Sequence, residues 1–235
     1  MGPVHKSLNL LPRQTALVTG GARGLGAAIV TELRARNVSV SAPTRDELNL
    51  ADPVAIEQYV EKCNAEGIHF DILINNAGVN ITNPLEQISQ ETWLTTLQVN
   101  LNAPFRLAQA FAPTMRRNQW GRIVNLSSIL GVVTRPHRAA YSATKAALVG
   151  FTRTLAAELG RDNVLANCVA PGYVETNLVR ENNSDEELRR IKERIPMGRL
   201  AHPSEIAKFV SFLCSDDNTY ITGQTLIIDG GFTCL

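Results

Sequence analysis

The chain has 235 residues, 44% of them hydrophobic, and a formal net charge of +1. That is enough apolar material for one full core and too little charge for the electrostatic footprint of a nucleic-acid or anionic-membrane binder. No apolar run approaches the ~18 residues of a membrane span, and residues 1–14 lack a charged-then-apolar export pattern. Cys63, Cys168, Cys214 and Cys234 stand far apart with no C-x-x-C spacing. They read as free thiols of a reducing, cytoplasmic compartment. His5, His69, His137 and His202 are dispersed, so no metal site is expected.

Residues 1–13 read as a leader and 14–235 as a single domain. Thr15-Ala16-Leu17-Val18 is a short apolar strand. Gly20, Arg23, Gly24, Leu25 and Gly26 follow in a G-x-x-x-G-x-G turn. A helix with Ala27, Ile29, Val30 and Leu33 on its apolar side begins at once. Strand, glycine turn and helix in this order let a pyrophosphate approach a helix N-terminus. A second strand over 38–42 leads to Pro43-Thr44-Arg45. In dinucleotide folds an acid at this place holds the ribose 2′-hydroxyl. Here Thr44 stands there, with Arg45 beside it and Arg23 in the glycine turn. Two guanidiniums suit a 2′-phosphate, which favours NADP(H). NAD(H) stays the alternative, because Asp46 and Glu47 are close.

Asp52 and Pro53 open a helix to about residue 66. It follows the second strand so closely that the usual intervening helix and strand do not fit. The sheet is therefore expected to be abbreviated between its second and third strands, with Asn49 and Leu50 lining an adenine pocket. A buried strand over 70–74 ends in Asn75-Asn76-Ala77-Gly78, where open α/β sheets bind ligands. A long helix spans 90–117. Pro104 cannot donate to the Asn100 carbonyl, which predicts a hydrated kink at Asn100.

A strand over 121–126 ends at Ser127-Ser128. The loop that follows holds His137 and Arg138, its candidates for facing a substrate. Tyr141 and Lys145 then stand four residues apart on a helix and share one face. A cation beside a phenol lowers its pKa, so the pair reads as a tuned proton donor and acceptor. A strand over 164–169 runs into Pro171-Gly172-Tyr173-Val174-Glu175-Thr176. Ser184-Asp185-Glu186-Glu187 is a capping box, Pro203 opens another helix, and residues 223–231 form a last strand. Strands alternate with helices throughout. The expected fold is a single Rossmann-like, doubly wound, mostly parallel α/β sheet with helices on both faces.

Together these motifs resemble the classical short-chain dehydrogenase/reductase family. The resemblance runs from about Thr15 to Gly231. It rests on Thr19 to Gly26, Asn75 to Gly78, Ser128, Tyr141 with Lys145, and Pro171-Gly172. It implies Tyr141 as the acid/base, Lys145 as its cationic tuner and nicotinamide-ribose ligand, and Ser128 as a hydrogen-bond donor to the substrate oxygen. Asn100 matches an asparagine that holds a relay water through its carbonyl. Thr176 matches a residue near the nicotinamide amide. Asn76, Ala77, Gly78, Pro171, Gly172 and Val174 would line the same cofactor site.

The implied reaction moves a hydride between NADP(H) and a carbonyl or secondary alcohol. A finer resemblance, through residues 173–177 and the closing strand, is to 3-oxoacyl-acyl-carrier-protein reductases, which implies a carrier-bound acyl thioester as substrate. The alternatives are a keto-sugar or polyol dehydrogenase using NAD(H) and a non-catalytic dinucleotide-binding regulator. The family's habit implies a homotetramer or homodimer packed through the two long helices and the last strand, and residues 177–200 are expected to cover the cleft.

Overall fold

The strands alternate their apolar residues between two faces. Leu17, Leu73, Ile123 and Ala166 enter one core, while Ala16, Val18, Ile72, Ile74, Val124 and Val169 enter the other. The structure, a computed structural model, describes residues 14–234. The expected leader lies outside the described residues. The strands are β1 (Thr15–Val18), β2 (Ser39–Ser41), β3 (Ile72–Asn75), β4 (Gly121–Leu126), β5 (Val164–Pro171) and β6 (Thr225–Ile228). They form one six-stranded sheet in the order β2-β1-β3-β4-β5-β6, and every pairing is parallel.

The helices are α1 (Gly24–Ala35), α2 (Pro53–Ala65), α3 (Gln90–Leu97), α4 (Ala103–Arg117), α5 (Ala139–Leu159), α6 (Asn177–Glu181), α7 (Asp185–Arg194) and α8 (Pro203–Leu213). Buried residues of α2, α4 and α5 close the first core, and those of α1 and α8 close the second. This is the doubly wound arrangement. The chain passes from β1 outward to β2, then returns to the other side of β1 as β3. The reversal opens a crevice at the C-terminal ends of β1 and β3, where the glycine turn and Asn75-Asn76 lie. Among the described residues the sheet ends at β2, which pairs with β1. Residues 42–52 run through turns directly to α2, which is the abbreviation the sequence expects.

The helix over 90–117 is interrupted. Between α3 and α4 the residues Gln98–Asn102 form a π-turn, with the Ala103 N–H reaching back to the Gln98 carbonyl. Pro104 has no N–H to give the Asn100 carbonyl, and the wider turn absorbs the defect. The predicted kink is thus a π-turn centred on Asn100. The Asp52 side chain caps α2 by accepting the Val54 N–H at 2.9 Å, and Ser184 and Glu187 close a capping box on α7. Two local features go beyond the sequence reading. Residues 177–181 form the separate helix α6, capped by Thr176. His202, an unusual cap, heads α8 by accepting the Ser204 N–H through Nδ1 at 3.3 Å. Among the described residues no helix is long and apolar enough to cross a membrane.

Candidate active site

The glycine turn is fixed by close approach. Gly20 and Gly24 hold φ of +64° and +56°, the left-handed region that glycine enters without strain. A Cβ on Gly26 would lie 2.1 Å from the Gly20 carbonyl oxygen, so no larger residue fits. Asn76 pins the turn from the neighbouring strand: its Nδ2 donates to the Thr19 carbonyl at 2.9 Å and the Gly20 carbonyl at 3.2 Å. The Thr19 hydroxyl accepts the N–H groups of Asn76 and Ala77, both at 3.1 Å. Arg23 precedes α1 without capping it, and the first turn of α1 carries no acid. The positive end of α1 therefore faces outward, open to an anion. This cradle fits the diphosphate of a dinucleotide.

Around this turn the other expected cofactor residues take distinct places. Thr176 abuts the turn, its Cγ2 3.4 Å from where a Cβ on Gly24 would sit. Leu25 packs against the second core. Val174 also buries its side chain there, leaving main-chain atoms for the cleft. Pro171 ends β5 and is buried, and Gly172 packs on Asp229. Thr44 and Arg45 are exposed past β2, and the Thr44 N–H donates to the Glu47 carboxylate at 2.7 Å. Asn49 Oδ1 accepts the Ala51 N–H at 3.1 Å, and Leu50 packs on the first core.

Asn100 is fully buried and its carboxamide is spent on the backbone of the β3 loop. Its Oδ1 accepts the Val79 N–H at 2.8 Å, and its Nδ2 donates to the Val79 carbonyl at 2.9 Å and to the Thr144 hydroxyl at 3.1 Å. The π-turn thereby ties the loop holding Gly78 to α5. Deeper in the sheet Asn75 donates to Asn125, which donates to Thr152, at 2.8 and 2.9 Å.

Tyr141 and Lys145 project from one face of α5, with the ammonium 5.5 Å from the phenol ring centroid. Lys145 is buried, 3% exposed, and donates to the Leu126 carbonyl at 2.6 Å. Its Nζ lies 3.5 Å from where a Cβ on Gly78 would sit, so it also borders the cofactor cradle. Burial drives the lysine pKa down to about 8. The sequence expects Lys145 to lower the phenol. The structure gives the opposite net direction. Burial pushes Tyr141 above its ordinary value, opposed by a hydrogen-bonding interaction with the Ser128 hydroxyl and by the Arg138 charge. The reason is burial: helix spacing places the ammonium on the right face, but the phenol itself is taken out of water.

Ser128 faces Tyr141 across a small cavity of about 80 Å3 that Arg135, Arg138, Asn80 and Asn183 also line. Leu178 and Val179 of α6 form another wall. Arg138, a candidate from sequence, is buried, whereas His137 beside it is exposed. Arg135, Asn80 and Asn183 were not legible. They come from three loops with no shared period, and only tertiary structure brings them together.

The chain matches the family model described as enoyl-(acyl carrier protein) reductase over residues 26–233. It is 38% identical to 3-oxoacyl-acyl-carrier-protein reductase FabG of Escherichia coli, over 92% of this chain and 96% of that one. It is 37% identical to a tropinone reductase homolog of Arabidopsis thaliana, over 94% and 93% of the two chains. Among solved structures, 4-hydroxyisoleucine dehydrogenase complexed with NADH superimposes with a TM-score of 0.89 at 29% identity, covering 95% of this chain and all of that one. A gluconate 5-dehydrogenase from Burkholderia cenocepacia, in complex with NADP and tartrate, gives 0.86 at 29% identity, over 96% and 97%. With the parallel sheet, the glycine cradle and the Ser128, Tyr141 and Lys145 cluster, these matches identify the chain as an NAD(P)-dependent oxidoreductase that belongs to the short-chain dehydrogenase/reductase family.

Proposed function

We propose that the protein interconverts a carbonyl and a secondary alcohol with NADP(H), using Tyr141 as the acid/base. The observation that carries this reading is the convergence of Ser128, Tyr141 and Lys145 next to a glycine turn that fits a diphosphate. When bound, the nicotinamide cofactor supplies or takes up the hydride. In the reducing direction Tyr141 donates its phenolic proton to the carbonyl oxygen as negative charge grows there. Ser128 donates a hydrogen bond to the same oxygen. Its oxygen accepts the Leu130 N–H at 3.1 Å, which orients the hydroxyl beside Tyr141. The Lys145 charge favours the phenolate that remains and holds the nicotinamide ribose. The Asn100 carbonyl, which Pro104 cannot engage, is the attachment point for a water that returns the proton. Gly20, Gly24, Gly26 and the N-terminus of α1 hold the diphosphate. Asn76, Ala77, Gly78, Pro171, Gly172, Val174 and Thr176 border the nicotinamide half, and Asn49 and Leu50 border the adenine.

Residues 14–235 act as one domain in which α6 and α7 cover the cleft. They rest on a small cluster of Leu188, Ile191 and Ile195 packed against Tyr173 and Val179. Leu94, Phe105 and Ile227 are exposed on α3, α4 and β6, which supports a homotetramer or homodimer joined through those elements, working in the cytoplasm. Similarity to 3-oxoacyl-acyl-carrier-protein reductases supports a 3-oxoacyl thioester as substrate. The arginines and asparagines in the cavity wall favour a second reading, a small hydroxylated or oxo substrate of the kind a gluconate dehydrogenase uses.

Cofactor choice follows from Thr44 standing where an acid would hold a 2′-hydroxyl, with Arg23 and Arg45 exposed nearby. The Glu47 carboxylate is held by the Thr44 N–H. Wild-type enzyme is expected to prefer NADPH. The Arg23→Ala/Arg45→Ala variant should lose ~10- to 100-fold in kcat/KM for NADPH, the size of lost charged hydrogen bonds, with little change for NADH. Initial rates with both cofactors check this, and a wild-type preference for NADH contradicts it.

A further inference from the structure

The cavity beside Tyr141 holds more positive charge than carbonyl reduction needs. Arg135 and Arg138 both line it, and among the described residues no carboxylate does. Arg138 is 3% exposed. Its Nη1 donates to the Thr82 hydroxyl and, at 3.4 Å, to the His137 carbonyl, while its buried Nε finds no partner among the described residues. Arg135 donates to Asn183 Oδ1 at 2.9 Å. Burial, and then repulsion from Arg135, pull Arg138 below its ordinary value, and Glu187 offsets only part of this. Nearby, Asn80 Oδ1 is a buried acceptor that also lacks a donor. Immediately before Arg138, His137 is held at φ +66°, a conformation that costs a non-glycine residue free energy. Glu187 acts on both charges, but its carboxylate is hydrogen-bonded to Ser184 at 2.8 and 3.0 Å. A buried cation with no direct ion pair, a second cation beside it and a strained residue leading into it all oppose folding. Their common explanation is an anion that arrives with the substrate.

We infer that Arg138, with Arg135, determines specificity by receiving a carboxylate of the substrate, so that the enzyme acts on oxo or hydroxy acids. The inference rests on the proposed Tyr141 chemistry and narrows it. Arg138 stands one turn before Tyr141 at the head of α5, so a carboxylate on the guanidinium fork sets the neighbouring carbonyl toward the phenol and Ser128. Asn80 Oδ1 can accept a hydroxyl from the same molecule. The cavity's small volume suits a short acid. A neutral thioester would leave the guanidinium as unpaired as before.

The test compares acetoacetate with methyl acetoacetate, which differ in charge on one skeleton, at saturating NADPH. Wild-type kcat/KM should favour the acid by ~10-fold or more. Arg138→Gln should lower kcat/KM for acetoacetate by ~10- to 100-fold, mainly through KM, and barely change the ester. Arg138→Lys should recover part of the loss, and Arg135→Gln provides a second arm should Arg138→Gln fail to fold. An ester used as well as the acid, or equal losses on both, overturns the inference. If neither compound turns over, succinate is titrated calorimetrically into the NADP+-loaded protein. Binding that Arg138→Gln abolishes upholds the carboxylate site even though the reaction reading fails, and no binding overturns it.

Discussion

Tyr141→Phe is expected to lower kcat by ~10²- to 10⁴-fold, the usual contribution of a positioned general acid, while cofactor affinity stays unchanged. The substitution keeps the ring and removes only the hydroxyl, so the packing of α5 against the cavity survives. Steady-state rates together with fluorescence titration of NADPH separate the two effects. A non-catalytic dinucleotide-binding regulator would show no turnover to lose, and retained turnover would remove Tyr141 from the chemistry. The same variant distinguishes Tyr141 from Ser128. Loss of the serine should raise the barrier less, because one of two donors to the developing alkoxide remains.

Lys145→Met should abolish most activity and yet make the protein more stable at neutral pH. Lys145 is buried, and its pKa falls from 10.5 to about 8. The folded value lies below the unfolded one. Between pH 8 and 10.5 the unfolded chain therefore carries more protons at this site, and stability rises with pH across that window. Below pH 8 the full cost of burying the ammonium is present. At ~1.36 kcal/mol per pKa unit the shift corresponds to about 3 kcal/mol, an upper bound because the 2.6 Å bond to the Leu126 carbonyl is lost as well. Urea denaturation at pH 7 and at pH 10 should show the advantage of Lys145→Met shrinking at the higher pH. A variant less stable than wild type at pH 7 would mean that the hydrogen bond outweighs the desolvation. The conflict between stability and activity at one residue marks Lys145 as kept for its charge.

The parts of the site written in local sequence were legible. Glycine positions between a strand and a helix fixed the cradle, the four-residue spacing put Tyr141 and Lys145 on one face, and Pro104 marked Asn100 as the break in a long helix. The abbreviated edge past β2 followed from simple arithmetic of chain length. What escaped was everything decided by partners distant in sequence. Periodicity shows which way Lys145 points but not that its ammonium donates a hydrogen bond to the Leu126 carbonyl. The net upward push on Tyr141 depends on burial, which no spacing encodes. Asn76 suggests a cofactor contact in sequence, whereas its side chain is occupied in pinning the glycine turn. Arg135 lies in the loop between β4 and α5, where no hydrophobic period predicts which side chains turn inward.

On the proposed mechanism, Tyr141 becomes a usable acid/base only when positive charge in the cleft overcomes the effect of its burial. Its most direct test is the near-ultraviolet absorbance of the phenolate, taken as wild type minus Tyr141→Phe, titrated with and without saturating NADP+. The phenol should titrate above the ordinary ~10 of free tyrosine in the protein alone and well below it with NADP+ bound. A phenol that stays at or above that value with the oxidised cofactor in place would contradict the account.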